Sequence, residues 1–148
     1  MEINFGTAVI ESMPEGFTLI DSDWRYLYVN QAALIQSGMT RQQLIGYRVT
    51  EVFPGIEHLA FFKAMTVVME SREAKDFLAK FEIAGKEDVF LDLSIRPSAD
   101  GIVIISSDLS VNQGDKKASL EEVMVVTVLK QEGFDGYLFQ NSQPQVHV

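Results

Sequence analysis

The sequence predicts an α+β domain: a five-stranded antiparallel sheet with short helices over one face, an N-terminal helix and a C-terminal extension. Apolar and polar residues alternate with a period of two in residues 16–29 and again in residues 77–96. Between these segments, residues 31–71 carry apolar residues at helical spacing. Strands grouped on either side of a helical block are typical of α+β folds, whereas a parallel sheet would alternate strands with helices.

The first elements are a short helix and a hairpin. Residues 6–13 place an apolar stripe on one side of a helix that Pro14 ends. Residues 16–21 and 25–29 then alternate as strands, and Asp21-Ser-Asp23 supplies turn chemistry between them. The pair is therefore predicted to form a β-hairpin.

Capped helices follow the hairpin. Asn30 stands at the N-cap position of a helix over about 31–37, and Gly38 can take the left-handed conformation that ends it. Thr40-Arg-Gln-Gln43 is a capping box, in which the first and last side chains each bond the other residue's backbone. A longer helix is predicted over about 57–71, where apolar residues recur at helical spacing.

Three strands follow the helices. Residues 77–83 and 89–96 alternate as two half-buried strands around a turn at residues 84–87. After a second turn at residues 98–101, Ile102-Val-Ile-Ile105 is a continuous β-branched run. Such a run suits a strand that is buried on both faces, so we expect it in the middle of the sheet.

The composition describes one acidic domain without cysteine. Its 148 residues are 47% hydrophobic, which suffices to bury a core. The net charge is −9 and the basic residues are scattered apart from Lys116–Lys117, so we expect no nucleic-acid partner. The lack of cysteine excludes disulfides and a cysteine-linked chromophore. With no signal-peptide pattern and no long apolar run, we expect a cytoplasmic protein without a membrane partner.

Short motifs occur in a fixed order along residues 6–110. They are Glu11-Ser-Met-Pro-Glu-Gly-Phe17, Asp21 followed by Tyr28-Val-Asn-Gln-Ala32, Gly38-Met-Thr40, Leu44-Ile-Gly46 and Asp108-Leu-Ser110. In this order and spacing they resemble the PAS (Per-Arnt-Sim) family of sensory domains. The last motif resembles the closing signature of that family. The predicted division is an N-terminal helix in 1–15, a PAS-like domain in 16–110 and an extension in 111–148.

The resemblance implies both an architecture and a role. It implies helices cupped over a five-stranded antiparallel sheet, enclosing a pocket for a small ligand or cofactor. It also implies a sensory or dimerising part of a signalling protein. Such domains usually act upstream of a histidine kinase, a cyclic-dinucleotide enzyme or a transcription factor, so a signalling effector domain or protein is the expected partner.

Apolar side chains of the helical block and the sheet are candidates for the pocket lining. The candidates are Leu34, Phe53, Phe61, Phe62, Met65 and Phe81. Interior pockets of this kind suit small apolar ligands that one or two polar groups orient. Residues of these types at these spacings more often fill a core than bind a cofactor, so the sequence favours a filled core over a pocket.

The sequence implies no particular cofactor. In PAS relatives that bind haem, the histidine ligand lies deeper along the helix than His58, which follows Glu57 in the first predicted turn. We therefore expect a surface or capping histidine. Flavin photochemistry of the light-oxygen-voltage type needs a cysteine, which the chain lacks. Non-covalent flavin binding stays open, because Trp24 and several other aromatic residues could lie near a flavin ring, but it is not the expected outcome. Asn30 is explained by helix capping, and Asp108 fits either a turn or a signal-transmission junction.

The extension at residues 111–148 fits two structures. Ser119-Leu-Glu-Glu122 resembles a capping box that opens an apolar stripe at helical spacing. Val123-Met-Val-Val-Thr-Val-Leu129 is instead rich in β-branched residues and fits a strand. Its partner would be Tyr137-Leu-Phe139, after a turn at Gly133–Gly136. Periodicity leaves both structures open.

Both faces of the predicted sheet carry apolar groups. Simple alternation places Tyr26, Tyr28 and Phe90 on one face and apolar neighbours on the other. Neither face can be left bare without a large apolar patch. We therefore expect the N-terminal helix, the extension or a second subunit to cover the outer face, with a symmetric homodimer as the usual solution.

The leading hypothesis is a PAS-type sensory and protein-interaction module of a signal-transduction protein. It would form a homodimer and bind a small molecule where the pocket is open. The sequence contains no Gly-x-Ser-x-Gly, no phosphate-binding glycine loop and no His-x-x-x-His, so we expect no enzyme and no metal site. The alternatives are a small α+β enzyme or carrier with a pocket, and a purely structural dimerisation domain with a filled core.

Overall fold

The centre of the fold is a mixed β-sheet. The computed structural model describes residues 5–83, 87–109, 122–130, 137–139 and 144–146. Five antiparallel strands precede the extension: β1 (Gly16–Asp21), β2 (Tyr26–Val29), β3 (Lys75–Ile83), β4 (Val89–Ser98) and β5 (Gly101–Asp108). They lie in the order β2-β1-β5-β4-β3, so β5 occupies the middle position predicted for Ile102-Val-Ile-Ile105.

Short helices complete the predicted α+β fold class, which the structure confirms. They are α1 (Phe5–Ser12), α2 (Gln31–Ser37), α3 (Arg41–Leu44), α4 (Val49–Val52), a 3-10 helix (Ile56–His58) and α5 (Ala60–Ser71). Buried side chains of the sheet and of α5, including Ile20, Ile95 and Val68, form one core between the two layers. No helix within the described ranges is long and apolar enough to cross a membrane.

The two predicted caps are confirmed. Asn30 accepts a hydrogen bond from the backbone N–H of Ala33 at 3.0 Å, and Gly38 ends α2 in the left-handed conformation with φ 69°. Both hydrogen bonds of the Thr40–Gln43 capping box are formed at the start of α3. These bonds lie within four residues of each other in sequence, which is why the pattern of residue types is enough to predict them.

The predicted helix over 57–71 is wrong at its start. The chain forms the 3-10 helix Ile56–His58 and then α5 from Ala60, with Leu59 between them in extended conformation (φ −90°, ψ 150°). Leu59 is only 1% exposed. The free energy gained by burying this leucine offsets the helical hydrogen bonds lost at the break. The spacing of apolar residues predicts one continuous helix because it takes no account of this burial.

A β-bulge in the first hairpin corrects a second expectation. The register pairs Leu19 with Tyr28 but Ile20 with Tyr26, which leaves Leu27 as the extra residue of β2. Simple alternation predicted that Tyr26 and Tyr28 share a face. Because of the bulge, they lie on opposite faces of the sheet. Tyr26 lies in the core and is 7% exposed. Tyr28 lies on the outer face, against the ring of Phe17.

Helix α1 is held to the domain by polar contacts. The Asn30 side-chain amide donates to the carbonyl oxygen of Ile10 at 2.8 Å. The Tyr28 hydroxyl and the Arg41 guanidinium both donate to the Glu11 carboxylate. Partial burial raises the pKa of Glu11, but these two hydrogen bonds, the charge of Arg41 and a backbone hydrogen bond from Gln31 together lower it more, so the net pKa lies below its ordinary value. Desolvation and the bond to Glu11 raise the pKa of Tyr28 to about 12.

Glu11 makes the stability of this attachment depend on pH. Because its folded-state pKa lies below the ordinary value of 4.5, its contribution is complete above that pH and disappears as the pH falls through the folded-state pKa. We expect Glu11→Gln to lower the urea midpoint at neutral pH and to have a smaller effect at about pH 3. Urea unfolding of wild type and variant at both pH values checks this. An equal loss at both would contradict it.

The extension continues the sheet. It contains β6 (Glu122–Lys130), β7 (Tyr137–Phe139) and β8 (Pro144–Val146). β6 pairs in parallel with β3, and β7 and β8 both pair antiparallel with β6. Of the two structures that the sequence left open, the chain has the strand at 123–129 with 137–139 as its partner. Ser119–Leu120–Glu121, the turns at 84–86 and 133–136, Ser110 and Lys116–Lys117 lie outside the described residues.

Candidate functional site

A cavity of about 290 Å³ lies between the helices and the inner face of the sheet. Both the helical layer and the sheet contribute apolar side chains to its wall. They include Ile20, Val29, Leu44, Leu59, Leu93 and Ile104. Ile35 on α2 also lines it and is 72% exposed, so the cavity reaches solvent beside this helix. The fold thus encloses an apolar chamber with access from one side.

Four of the six predicted pocket residues line this cavity: Phe53, Phe61, Met65 and Phe81. Phe61 and Met65 reach it together because residues four apart share one face of α5. Phe62 is turned away and packs on Trp24, with ring centroids 4.6 Å apart. Leu34 packs against the core beside the cavity, since it is Ala33 that α2 directs towards the interior.

The filled core that the sequence favoured is not what the structure has. Ala33, Ser37 and Gly38, along α2 and at its end, line the cavity with little side-chain volume. The large residue Ile35 of the same segment lies at the opening and is 72% exposed, so it does not fill the cavity. Hydrophobic spacing predicts which positions face inwards, but the empty volume depends on the summed size of side chains from several elements.

A polar pair stands at one end of the cavity. The Gln36 side-chain amide donates to the carbonyl oxygen of Ser106 at 3.1 Å, and the Ser106 hydroxyl donates to Gln36 Oε1 at 2.5 Å. A Cβ atom on Gly16 would lie 2.4 Å from Ser106 Oγ and 2.6 Å from Gln36 Oε1. Glycine at position 16 therefore leaves the space in which α2 and β5 are joined.

Tyr26 forms part of the wall next to Ile20, its partner on β1. Burial of its side chain raises the pKa of the phenol well above its ordinary value, so the group is neutral at physiological pH. Its backbone is bonded to Gly46 and Tyr47, but the hydroxyl makes no hydrogen bond to another described residue. None of the described lining residues carries a charge. The chamber is therefore apolar, with few and uncharged polar groups.

The other residues singled out in the sequence lie elsewhere. Asn30 is fully buried and bonded to surrounding backbone, outside the cavity wall. His58 has a side chain that is 72% exposed, and its imidazole is 3.6 Å from the Glu57 carboxylate. Asp108 pairs with Leu91 at the end of β5. Within the described part of the chain, no three His, Asp or Glu side chains are placed to hold a metal ion.

Sequence reasoning missed the polar groups of the cavity. Simple alternation placed Tyr26 on the same face as Tyr28, because a bulge has no reliable signature in the alternation pattern. Gln36 follows Ala33 by three residues and therefore shares its face of α2, which is a signal that helical spacing provides. Ser106 ends the β-branched run of β5, and only the register with Gly16 brings it to Gln36.

The fold is similar to several solved structures. The Rhodobacter sphaeroides LOV protein has a TM-score of 0.58 at 18% identity, over 76% of this chain and 69% of that chain. The PAS domain of Bordetella pertussis BvgS has a TM-score of 0.56 at 20% identity, over 74% and 83%. A domain of a sensory box sensor histidine kinase/response regulator from Geobacter sulfurreducens has a TM-score of 0.55 at 22% identity, over 68% and 89%.

The structural similarities show the fold alone, and the family is assigned by a match to a family model. No curated protein sequence matches the chain. The model described as PAS fold (PAS_4) matches residues 10–113, which is most of the chain and includes all five antiparallel strands and the helices that cover them. The motifs from Glu11 to Asp108 and the arrangement of strands and helices agree with this match. The chain belongs to the PAS fold family.

Proposed function

We propose that this PAS domain is a sensory module of a signal-transduction protein, that it binds a small molecule in the cavity, and that it acts as a homodimer. The observation that carries the proposal is the cavity of about 290 Å³ between helices and sheet. Apolar chambers with a few convergent polar groups are typical of small-molecule sites. Sensing is favoured over catalysis because the described residues that line the cavity include no carboxylate, imidazole or ammonium group, the usual general acids and bases.

The polar pair offers a route from the ligand to the rest of the chain. Gln36 on α2 is joined to Ser106 on β5, and β5 ends at Asp108. A ligand that competes for the Gln36 amide would change how firmly the end of β5 is held. In this proposal Asp108 lies at the junction where the change leaves the sensory core.

Ligand binding is tested by filling the cavity. Ile104 faces the cavity from β5, whereas its neighbour Ile105 lies on the opposite face of the sheet. We expect native mass spectrometry of protein from its own host to detect a bound small molecule in wild type and in Ile105→Phe, but not in Ile104→Phe. Far-ultraviolet circular dichroism of both variants controls for folding. Wild-type protein without bound mass, and not stabilised by any member of a library of small apolar molecules, would count against the sensory proposal.

The outer face of the sheet supports the homodimer. Phe17, Tyr28, Val103 and Ile105 lie on the face opposite the cavity and are partly exposed. An aromatic and aliphatic patch of this kind is typical of a surface that packs against another. A second copy of the same chain would bury the patch symmetrically.

Sedimentation velocity tests the dimer. We expect a dimer for wild type and a shift to monomer for Val103→Lys, because the new charge would be buried without a partner. The matched control is Val67→Lys on α5, where the valine is 43% exposed on the helical side of the domain. A wild-type protein that sediments as a monomer at all concentrations would contradict the dimer and leave ligand sensing untouched.

A further inference from the structure

The hydroxyl of Tyr26, a residue of the cavity wall, is a candidate contact for the ligand. The β-bulge at Leu27 rotates Tyr26 into the core, where it is 7% exposed and forms part of the cavity wall. Its neighbour Tyr28 donates to Glu11, whereas the Tyr26 hydroxyl has no hydrogen-bond partner among the described residues. This hydroxyl is not one of the fully buried, unpartnered side-chain oxygen atoms of the described residues, which are those of Ser94 and Ser98, so it is accessible to a small molecule in the cavity.

The surroundings of Tyr26 also restrict the charge of a ligand. Among the described residues, the lining contains no lysine, arginine, histidine, aspartate or glutamate. A carboxylate or an ammonium group brought into this chamber would lose its hydration without gaining an ion pair. A neutral oxygen atom loses less hydration, and the phenolic O–H can compensate for that loss.

The cavity sets the size of the ligand. Cavities of about 150 Å³ hold a benzene-sized molecule, so a volume of about 290 Å³ suits roughly two rings or a chain of equal bulk. The polar groups lie beside opposite ends of β1, because Ser106 on β5 pairs with Gly16 and Tyr26 on β2 pairs with Ile20. At the usual rise per residue these pairing points are about 13 Å apart along the strand. The Gln36–Ser106 pair and the Ser37 hydroxyl are already hydrogen-bonded. The lining hydroxyl groups without a hydrogen bond to a described residue are then those of Thr18 and Tyr26, and Tyr26 is the more deeply buried of the two.

We infer that the cavity selects an uncharged, largely apolar molecule of about two-ring bulk that carries an acceptor oxygen, and that the Tyr26 hydroxyl binds this oxygen. The inference rests on the proposed function, since it names the class of ligand for the same cavity. Tyr26 then distinguishes a ketone, ester or ether from a hydrocarbon of the same shape. A site built to hydrogen-bond a ligand rejects an analogue without the bonding group.

Three molecules of nearly equal shape test this by isothermal titration calorimetry. They are 2-acetylnaphthalene, with a carbonyl oxygen; 2-isopropenylnaphthalene, with a methylene group in its place; and 2-naphthoate, with a carboxylate. For wild type we expect the ketone to bind about tenfold more tightly than the hydrocarbon, the equivalent of one buried hydrogen bond. We expect the carboxylate to bind more weakly than both.

Tyr26→Phe and Tyr28→Phe form a matched pair of variants. The same atom is removed from neighbouring residues of β2, but only Tyr26 faces the cavity. In Tyr26→Phe the ketone and the hydrocarbon should bind with about equal affinity, whereas in Tyr28→Phe the preference for the ketone should persist. In the ligand-free protein, Tyr26→Phe should not lower the melting temperature, because no hydrogen bond to a described residue is lost. A purely structural tyrosine would lower it.

The outcomes separate the two proposals. Equal binding of ketone and hydrocarbon to wild type, or a ketone preference that survives in Tyr26→Phe, overturns the role of Tyr26 and leaves a ligand-binding cavity. Tighter binding of 2-naphthoate overturns the selection of an uncharged ligand. Failure of all three molecules to bind wild type overturns the inference and the ligand-binding part of the proposed function together. The comparison of the three molecules on wild type does not depend on the folding of any variant.

Discussion

Replacing Asn30 with alanine is expected to destabilise the domain by about 4 kcal/mol, a large part of the stability of a domain of this size. The Asn30 side chain accepts from the N–H groups of Phe17 and Ala33 and donates to the carbonyl oxygens of Ile10 and Glu15. The side chain is fully buried. Alanine would remove these partners from the N–H groups of Phe17 and Ala33 and from the carbonyl oxygen of Glu15, and each backbone group left unpaired away from water costs about 1–3 kcal/mol. The carbonyl oxygen of Ile10 also accepts from the backbone N–H of Met13.

Urea denaturation measures the effect, and Thr40→Ala is the matched control. Thr40 is also an N-cap, but it is exposed and serves α3 alone. Its loss should cost about 1 kcal/mol, as for an ordinary cap. If Asn30→Ala costs no more than Thr40→Ala, then Asn30 does not join α1, β1 and α2 as the hydrogen bonds indicate.

Gly101→Ala is expected to destabilise the domain by about 3 kcal/mol or more, because the new side chain meets backbone that cannot yield easily. A Cβ atom at position 101 would lie 1.9 Å from the carbonyl oxygen of Ile20 and 2.7 Å from Cα of Asp21. Gly101 pairs with Asp21 at the start of β5, so β1 and β5 would have to separate at the centre of the sheet. Arg72, which donates to the Gly101 carbonyl oxygen at 3.1 Å, would lose its position too.

Gly46→Ala provides the comparison, because the same atom is added where space is open. Position 46 has φ 88°, which L side chains disfavour, but nothing lies within 4 Å of the new Cβ atom. The cost there should be about 1 kcal/mol, from the backbone conformation alone. Thermal and urea unfolding of both variants should rank Gly101→Ala as the more severe. The opposite order would mean that the β1–β5 contact adapts.

The sequence predicts local structure here and fails where distant segments meet. The caps at Asn30 and Thr40 were predicted correctly because donor and acceptor lie three residues apart. The break at Leu59 and the bulge at Leu27 were missed, since tertiary burial outweighs the regular pattern at both. The parallel pairing of β6 with β3 was missed as well, because the β-propensity of a segment predicts a strand but not which strand it pairs with.

The candidate site shows the same division. Phe53, Phe61, Met65 and Phe81 were named from their types and spacing, and they line the cavity. The polar groups that give the cavity its chemistry were not named. Tyr26 depends on the bulge, and the Gln36–Ser106 pair joins residues 70 apart in sequence. Polar groups in an apolar interior depend on register, and register is a property of the whole sheet.

The parallel strand β6 has a consequence for how the chain folds. β3, β4 and β5 follow one another in sequence and can pair by closing short turns. β6 lies beside β3 in the sheet, but β4 and β5 separate the two strands in sequence. Contacts between distant segments form more slowly, because the entropy of closing a long loop is lost before the contacts form. Until β6 docks, β3 is an unpaired edge with free backbone donors and acceptors. The interval between completion of the hairpins and docking of β6 is thus when the nascent chain is most open to aggregation.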